Sequence, residues 1–257
     1  MKNNSIATTN LDQVWLTSID DAFFREREML DRVKSGNDAY GCIFWESNHR
    51  CLVAPRSMRK VLEDGCARSD KAGWPVYFRD TGGDVAPQGP GIVNFSVAYS
   101  RSTREGFSIS QTYHDLCNPI VSALGKVGLL GWTGSVEDCY CDGSYNVVVN
   151  DLKFAGTAQR IGKTKWDKKR MAILAHALMM IDHTTGEGVC AINRLYEDAG
   201  LEKRVSPQVI TSLADYGVDE SIFLRNLIED VTSYFDHLSN AEFYQSPIPP
   251  KAGLARR

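Results

Sequence analysis

Two cysteines and a lysine in one short stretch supply residue types that can carry an acyl group. Cys139 and Cys141 are separated by a single residue, and Lys153 follows them on the next part of the chain. A thiolate is a nucleophile, and a neighbouring cation lowers the pKa of a thiol. A thiolate can accept an acyl group as a thioester and pass it to an amine, which divides one difficult step into two easier ones. A buried, inert thiol is the alternative for each cysteine, and nothing local distinguishes Cys139 from Cys141.

The cysteines and histidines do not have the spacing of a structural metal site or of a disulfide framework. The seven cysteines are scattered over positions 42, 51, 66, 117, 139, 141 and 190. An odd number in a chain of this length is atypical of disulfide-bonded proteins. A zinc ribbon needs two close cysteine pairs, whereas this sequence has one, and none of its five histidines lies at ligand spacing from that pair. We therefore expect no metal.

Lys153 begins the second strand of a hairpin that the sequence predicts around Asn150-Asp151. Side chains alternate between the faces of an unbroken strand, so Lys153 would share one face with Thr157, and Phe154 would share the other with Gly156. The face with Phe154 is the natural core side. Lys153 is then a solvated lysine if its own face is open, or a buried ammonium that needs a partner if that face is covered. The pattern alone favours the solvated lysine.

A glycine-rich segment, "FRDTGGDVAPQGPGIVNFS", lies between two predicted strands. It is neither G-x-G-x-x-G nor a Walker loop, and no helix follows it directly, so a phosphate site at a helix N-terminus is not indicated. Tandem glycines, here Gly82 and Gly83, allow a backbone to approach a ligand closely. Arg79, at the end of the first strand, is placed to contact an anion or a carbonyl. The alternative, which composition favours, is a long turn-rich loop with a surface arginine.

The other elements predict an α/β (α+β) protein with a mixed central sheet and flanking helices. Helices are expected after the N-cap residue Ser18, over 57–72, over 109–127 with a kink or interruption at Pro119, and over 219–238. Strands are expected at "YGCIFW" and "RCLVAP", which read as a hairpin, and at "PVYFR", "IVNFSVAYS", "GLLGW", "YNVVVN" and "LKFAGTAQ". Residues 171–182 fit either a buried strand or a buried helix. Because no regular βαβ order is visible, a mixed sheet is favoured over a parallel doubly wound fold.

Length, charge and hydropathy exclude several classes of protein. The chain has 257 residues, enough for one large domain, and a formal net charge of -3. This charge gives no bulk attraction to nucleic acid or to an anionic membrane, so neither partner is expected. No apolar run approaches the roughly 20 residues that span a bilayer. The N-terminal residues have no apolar core of signal-peptide length, and we expect a cytoplasmic protein.

Two segments in this order carry a resemblance to a known family. They are "RDTGGDVAPQGPGIVNFS" (79–96) and "YCDGSYNVVVNDLKFAGTAQR" (140–160), with weaker similarity over 172–182 and 192–204. They resemble the lipoate-protein ligase and octanoyl or lipoyl transferase family, which is related to the biotin protein ligases. The resemblance implies a biotin/lipoate protein ligase-like catalytic domain over residues 1–215. The apolar stripe over 219–238 and the Pro, Gly and basic residues after it predict a C-terminal helix and a mobile tail, packed on that domain, over residues 216–257.

The resemblance further implies roles for individual residues. Lys153 occupies the position of a lysine that contacts the acyl carbonyl or the adenylate. Cys141 occupies the position of the cysteine nucleophile in the amidotransferase branch, whose motif Y-C-P-G-x-Y is similar to residues 140–145. His176 matches a family position weakly and is interpreted as a core residue. The expected substrate-binding residues are Arg79, Gly82, Gly83, Asn94, Gly156 and Thr157.

Two chemistries occur in this family, and the sequence departs from the amidotransferase pattern at two places. Ligases activate lipoate with ATP and Mg as an acyl-adenylate and need no cysteine. The amidotransferase branch forms a thioester and needs no cofactor. Here Asp142 replaces the proline of the branch motif, and Asp84 follows the double glycine where a small or apolar residue is common.

The first hypothesis is therefore an acyltransferase. Cys141 would take a lipoyl or octanoyl group from a donor and pass it to the lysine of a lipoyl domain or of a glycine-cleavage H-type protein. A second hypothesis is an ATP-dependent lipoate-protein ligase, in which Lys153 binds the adenylate and Cys141 only packs. A third is a non-catalytic lipoate-binding protein on the same fold.

Overall fold

The computed structural model describes residues 14–104, 106–182 and 185–244 of the chain. The helices in these ranges are α1 (Ile19–Lys34), α2 (Glu63–Lys71), α3 (Ile109–Lys126), α4 (Thr185–Asp198) and α5 (Glu220–Tyr244). The strands are β1 (Trp15–Thr17), β2 (Tyr40–Ser47), β3 (Cys51–Pro55), β4 (Val76–Arg79), β5 (Ala86–Gln88), β6 (Ile92–Ser102), β7 (Gly131–Gly134), β8 (Asn146–Val149), β9 (Leu152–Lys163) and β10 (Arg170–Met180). The tail at 246–257, predicted to be mobile, lies outside the described residues. Within the described ranges, no helix is long and apolar enough to cross a membrane.

Seven strands form one mixed sheet in the order β1-β2-β6-β10-β9-β8-β7, which confirms the predicted fold class. β1 runs parallel to β2, and the other neighbours are antiparallel. A second sheet has the order β4-β3-β5. The predicted hairpin of β2 and β3 is wrong, because these consecutive strands belong to different sheets. Both strands are buried along nearly their whole length, so other elements must pack on both of their faces. A hairpin with one face in solvent does not provide this packing.

Strand β10 is the apolar segment that the sequence left open between strand and helix. It lies in the interior of the large sheet, paired with β6 on one side and β9 on the other. Both faces of this strand are buried along most of its length, which explains why apolar and polar residues do not alternate in its sequence.

The large sheet separates two layers. One face packs against α3 and α5, and the apolar residues Phe223, Leu227, Val231 and Phe235 of α5 belong to the same core as the strands. The other face is covered by α1 and by the small sheet with α2 and α4. Helix α5 thus packs on the sheet, while the division of the chain at residues 215/216 stays a prediction.

Helix α3 continues through Pro119, so of the predicted kink or interruption the interruption is wrong, and the kink stays a prediction. Tertiary contacts fix the turn that precedes the proline. Asp115 is fully buried and accepts hydrogen bonds from Tyr99 (2.9 Å), Arg101 (2.6 Å) and Tyr234 (2.8 Å). This carboxylate joins α3 to β6 and α5. Such charge-assisted hydrogen bonds compensate for the helical hydrogen bond that proline, which has no backbone N–H, cannot donate.

Candidate active site

Four positions on neighbouring strands form one row across the large sheet. Trp45 on β2 pairs with Asn94 on β6, Asn94 pairs with Leu178 on β10, and Leu178 pairs with Gly156 on β9. Directly paired residues share a face of the sheet. Adjacent strands lie about 4.8 Å apart, so the row is about 14 Å long. An extended eight-carbon chain, with C–C bonds of about 1.5 Å, measures about 9 Å and is thus shorter than this row.

A cavity follows the row between the large sheet and the small one. It comprises about 440 Å³ of space outside the protein atoms, its open mouth included. Gly156 and Ala158 leave room at the β9 end, and the rings of Trp45 and Phe23, 6.5 Å apart, form the β2 end. The lining also includes Val53, Ala86, Gln88, Tyr140, Cys141 and His176. A cavity with apolar walls and few polar groups is typical of a small-molecule site.

A bulge in β9 decides which way Lys153 points. Val147 pairs with Ala155, but the next residue, Val148, pairs with Lys153. Phe154 is therefore an extra residue on β9, and the side-chain alternation is broken at this point.

As a result, Phe154 and Ala155 both belong to the core beneath α5, whereas Lys153 lies on the side of the cavity. A Cβ atom added to Gly156 would be 3.2 Å from the Nζ of Lys153. The prediction that Lys153 shares a face with Thr157 is wrong, since it assumed an unbroken strand.

The Lys153 side chain is fully buried, so the solvated lysine favoured by the pattern is also wrong. Its Nζ donates to the carbonyl oxygens of Tyr140 and, at 3.2 Å, of Cys141, and it lies 3.6 Å from the sulfur of Cys139. The same atom is 4.2 Å from the centre of the Tyr140 ring. Burial lowers the pKa of Lys153, although the neighbouring thiols act in the opposite direction. Lys153 thus holds the cysteine loop, which we define as residues 135–145, from beneath.

Cys141 lies at the wall of the cavity with an unusual backbone conformation. Its φ is +47°, in the left-handed region that residues other than glycine rarely adopt. Its Sγ accepts a hydrogen bond of 3.1 Å from the backbone N–H of Asp84. An N–H donor stabilises negative charge on an acceptor. Cys139 is buried, and burial raises its pKa, although Lys153 opposes this effect. Of the two sulfurs, that of Cys141 is therefore the one at the cavity wall with an N–H donor, while its role as a nucleophile stays a prediction.

The glycine loop, which we define as residues 80–85, covers the sulfur of Cys141. Gly83 has φ +100°, and a Cβ atom there would be 2.5 Å from the Cys141 sulfur and 2.9 Å from the Arg79 guanidinium. At Gly82, apart from its chain neighbours, no atom of the described residues lies within 4 Å of the corresponding position. Of these two positions, only position 83 therefore requires a glycine.

Arg79 is buried, so the alternative of a surface arginine is wrong. Its guanidinium donates to the carbonyl oxygens of Val53 (2.9 Å), Gly82 (2.9 Å) and Asp84 (2.8 Å). Burial lowers the pKa of Arg79, although several nearby acidic groups, Cys141 first among them, act in the opposite direction. The arginine lines the cavity and fixes the glycine loop over it.

The remaining predicted substrate-binding residues also lie at the cavity. Asn94 exchanges two side-chain hydrogen bonds with Gln88, of 2.7 and 2.9 Å, and both residues line the cavity. Thr157 lines the cavity, but its hydroxyl donates to the carbonyl of Tyr145 at 2.9 Å. The structure therefore brings together residues far apart in the sequence, while their contacts with a substrate stay predictions.

Several residues of the site were not found by sequence reasoning. Trp45 and Tyr140 line the cavity, and in the described part of the chain the buried Tyr140 hydroxyl has no hydrogen-bond partner. His176, interpreted as a core residue, lines the cavity as well, with ring nitrogens 3.2 Å from Thr81 Oγ1 and 3.6 Å from the Glu26 carboxylate. Tyr140 begins the quoted cysteine motif and His176 matches a family position weakly, but neither signal placed them at a cavity, because the cavity is defined by register across four strands.

The Cys141 thiol and a donor N–H thus meet at one wall of a largely apolar cavity, and a buried lysine holds the loop that carries this thiol. Among the residues that the structure describes, no group of three or more His, Cys, Asp or Glu could hold a metal ion. This arrangement is suited to nucleophilic acyl transfer.

Comparison with known proteins agrees with this chemistry. Residues 18–235 match the family model described as lipoyl protein ligase A/B catalytic domain, and the chain belongs to this family. The octanoyl-GcvH:protein N-octanoyltransferase of Kyrpidia tusciae is 28% identical over 229 residues, covering 85% of this chain and 76% of that protein. The lipoyl-GcvH:protein N-lipoyltransferase of Listeria monocytogenes is 27% identical, covering 60% of this chain and 55% of its own.

Solved structures support the fold. Lipoate-protein ligase A bound with ATP has a TM-score of 0.66 and 18% identity, covering 91% of this chain and 93% of its own. A bipartite lipoate protein ligase of Thermoplasma acidophilum has a TM-score of 0.59 at the same identity, covering 91% of each chain. The predicted family is confirmed, as is the prediction of an octanoyl or lipoyl transferase or ligase at the level of the enzyme family.

Proposed function

We propose that this protein transfers an octanoyl or lipoyl group to the lysine of a carrier protein through a thioester on Cys141. The observation that carries the proposal is the position of the Cys141 sulfur, at the wall of the largely apolar cavity and 3.1 Å from a backbone N–H. The names of these relatives give a protein as the acceptor, and we infer that it is a lipoyl domain or a glycine-cleavage H-type protein. Their names also indicate an octanoylated or lipoylated protein as the donor.

The reaction has two halves. In the loading half, the Cys141 thiol loses its proton and the thiolate attacks the acyl carbonyl. A carbon–sulfur bond forms, the bond from the carbonyl carbon to the leaving group of the donor breaks, and the leaving group takes up the proton that the thiol has lost. In the transfer half, the lysine amine of the acceptor attacks the thioester carbonyl. A carbon–nitrogen bond forms, the carbon–sulfur bond breaks, and the amine proton is released as the thiolate returns. This route needs no cofactor.

Lys153 acts on the cysteine loop. Its ammonium is bonded to the carbonyls of Tyr140 and Cys141, so it fixes the backbone that presents the sulfur. Its charge also stabilises negative charge that develops at the adjacent acyl carbonyl, since buried cations act strongly in a site that excludes water.

Intact-mass spectrometry tests the thioester. The wild-type protein is mixed with octanoyl carrier protein or with octanoylated H-type protein, without an acceptor. We expect an octanoyl adduct on the wild type and on Cys139→Ala, the matched control, and no adduct on Cys141→Ala. Full acyl transfer by Cys141→Ala would exclude the thioester mechanism.

The same preparation distinguishes the alternatives. Release of pyrophosphate from ATP and lipoate with Mg, unaffected by Cys141→Ala, would identify a ligase in which Lys153 binds the adenylate. Binding of lipoate with no turnover in either assay would identify a non-catalytic binding protein.

A further inference from the structure

The segment that follows α4 contacts both loops at the Cys141 sulfur. In this segment, residues 201–206, Lys203 donates to the carboxylate of Asp84 in the glycine loop. The backbone N–H of Ser206 donates to the carbonyl of Asp138 in the cysteine loop at 2.8 Å. The segment therefore bridges the two loops, although it lies outside both sequence motifs.

The segment has its own anchor. The side chain of Asn193 on α4 accepts from the N–H of Val205 at 2.8 Å and donates to the carbonyl of Val205 at 2.9 Å. A side chain that satisfies both backbone groups of one residue fixes its position, and Lys203 lies only two residues away.

Asp84 is held at four points, one of which is the N–H of Val85, donating to the Asp84 carboxylate at 2.8 Å. Its carboxylate accepts from the Tyr196 hydroxyl at 2.6 Å and from Lys203, and its carbonyl accepts from Arg79 at 2.8 Å. The one backbone group that remains, its N–H, donates to the Cys141 sulfur. The direction of this N–H is therefore set by the contacts of the rest of the residue.

We propose that Tyr196 and Lys203 are positioning residues for Cys141, because they hold Asp84 so that its N–H donates to the sulfur. The inference rests on the proposed function. In loading, this N–H stabilises the attacking thiolate, and in transfer it stabilises the thiolate that leaves. This role explains why Asp84 follows the double glycine, where the family pattern has a small or apolar residue. A small apolar residue has no carboxylate for Tyr196 and Lys203 to bind.

The test measures loading of octanoyl onto Cys141 by intact mass over a range of donor concentrations. The wild type must first form the adduct that Cys141→Ala lacks, so failure of the proposed function is seen separately. We then expect Lys203→Ala and Tyr196→Phe to lower the maximal first-order loading constant by about tenfold, the size of one weakened bond to a charged group. The donor concentration at half-saturation stays unchanged.

Two controls make the result specific. Arg204→Ala removes the same charge from the next residue, whose guanidinium contacts Glu197 instead, and loading is expected at the wild-type rate. Lys203→Arg keeps the charged donor and restores most of the rate. Lys203 is about half exposed and Tyr196→Phe keeps the ring, so thermal melting should show both variants folded.

Three outcomes overturn the inference. Both variants load at the wild-type rate, or Arg204→Ala slows loading as much as Lys203→Ala, or only the half-saturation concentration rises. The last result would assign Lys203 to donor binding.

Discussion

The Nζ of Lys153 lies 3.2 Å from the carbonyl oxygen of Cys141, so a fully buried cation holds the loop that presents the thiol. The contact is to the backbone of Cys141, and the sulfur of Cys139 is the thiol near this ammonium. A buried carbonyl that loses its donor costs about 1–3 kcal/mol. The position of Cys141 therefore depends on a residue of the neighbouring strand.

Lys153→Met removes this donor and keeps an unbranched side chain. We expect loading of Cys141 to fall on the order of 100-fold, since one preorganised donor at a reacting centre contributes about that factor. Single-turnover loading followed by intact mass measures the effect. Lys163→Met, at the exposed end of the same strand, is the control and should load normally. Normal loading by Lys153→Met would contradict the role given to this ammonium.

The two glycines of the glycine loop should respond differently to alanine. Gly83→Ala places a Cβ atom 2.5 Å from the Cys141 sulfur at a φ of +100°, so we expect loading to be lost. The left-handed backbone adds a cost of about 1–2 kcal/mol for a residue with a Cβ. Gly82→Ala should load as the wild type. Equal effects of the two substitutions, by the same mass assay, would show that Gly83 has no special role.

Trp45 should set the length of the acyl chain. Trp45→Ala opens the β2 end of the row, so we expect a larger share of dodecanoyl over octanoyl product when both donors compete in one reaction. Loss of this buried indole should also lower the free energy of unfolding by about 3–5 kcal/mol. Trp132→Ala, on the more exposed edge strand β7, is the matched control for both measurements. An unchanged product ratio would place the end of the cavity elsewhere.

The charge of Asp84 should make stability depend on pH in the acid range. Burial raises the pKa of this carboxyl, but hydrogen bonds from Lys203, Tyr196 and the Val85 N–H outweigh it, and the pKa is lowered below 3.8. A carboxyl with a lowered folded-state pKa contributes stability above its unfolded-state pKa and loses it as pH falls through the folded-state pKa. The difference in free energy of unfolding between wild type and Asp84→Asn should therefore be constant above about pH 5 and shrink in more acidic solution. Urea unfolding across this range measures it, and a difference independent of pH would contradict the lowered pKa.

Much of the site could be predicted where its residues are contiguous in sequence. The positive φ of Asn150 and Asp151 fits the predicted turn between β8 and β9. The segment from Tyr140 to Arg160 and the double-glycine segment were sufficient to identify the family, and with it the mixed sheet. Short-range patterns of this kind record local geometry, such as the turn and the positive φ at Gly83.

The face of Lys153 could not be predicted, because a single extra residue in β9 inverts the alternation of side chains on which the prediction rested. The separation of β2 from β3 was also missed. Two apolar strands joined by a short turn have the same sequence pattern whether they pair as a hairpin or belong to two different sheets.

The sequence by itself determined the family, the class of sheet and the two residues, Cys141 and Lys153, that matched its motifs. Only the tertiary structure decided that Lys153 is buried beneath the cysteine loop, that Trp45 and Gly156 lie at opposite ends of one row, and that Lys203 reaches Asp84. The physical reason is the same in each case. Burial, strand register and contacts between distant segments depend on how the whole chain packs, and no local pattern of residues encodes them.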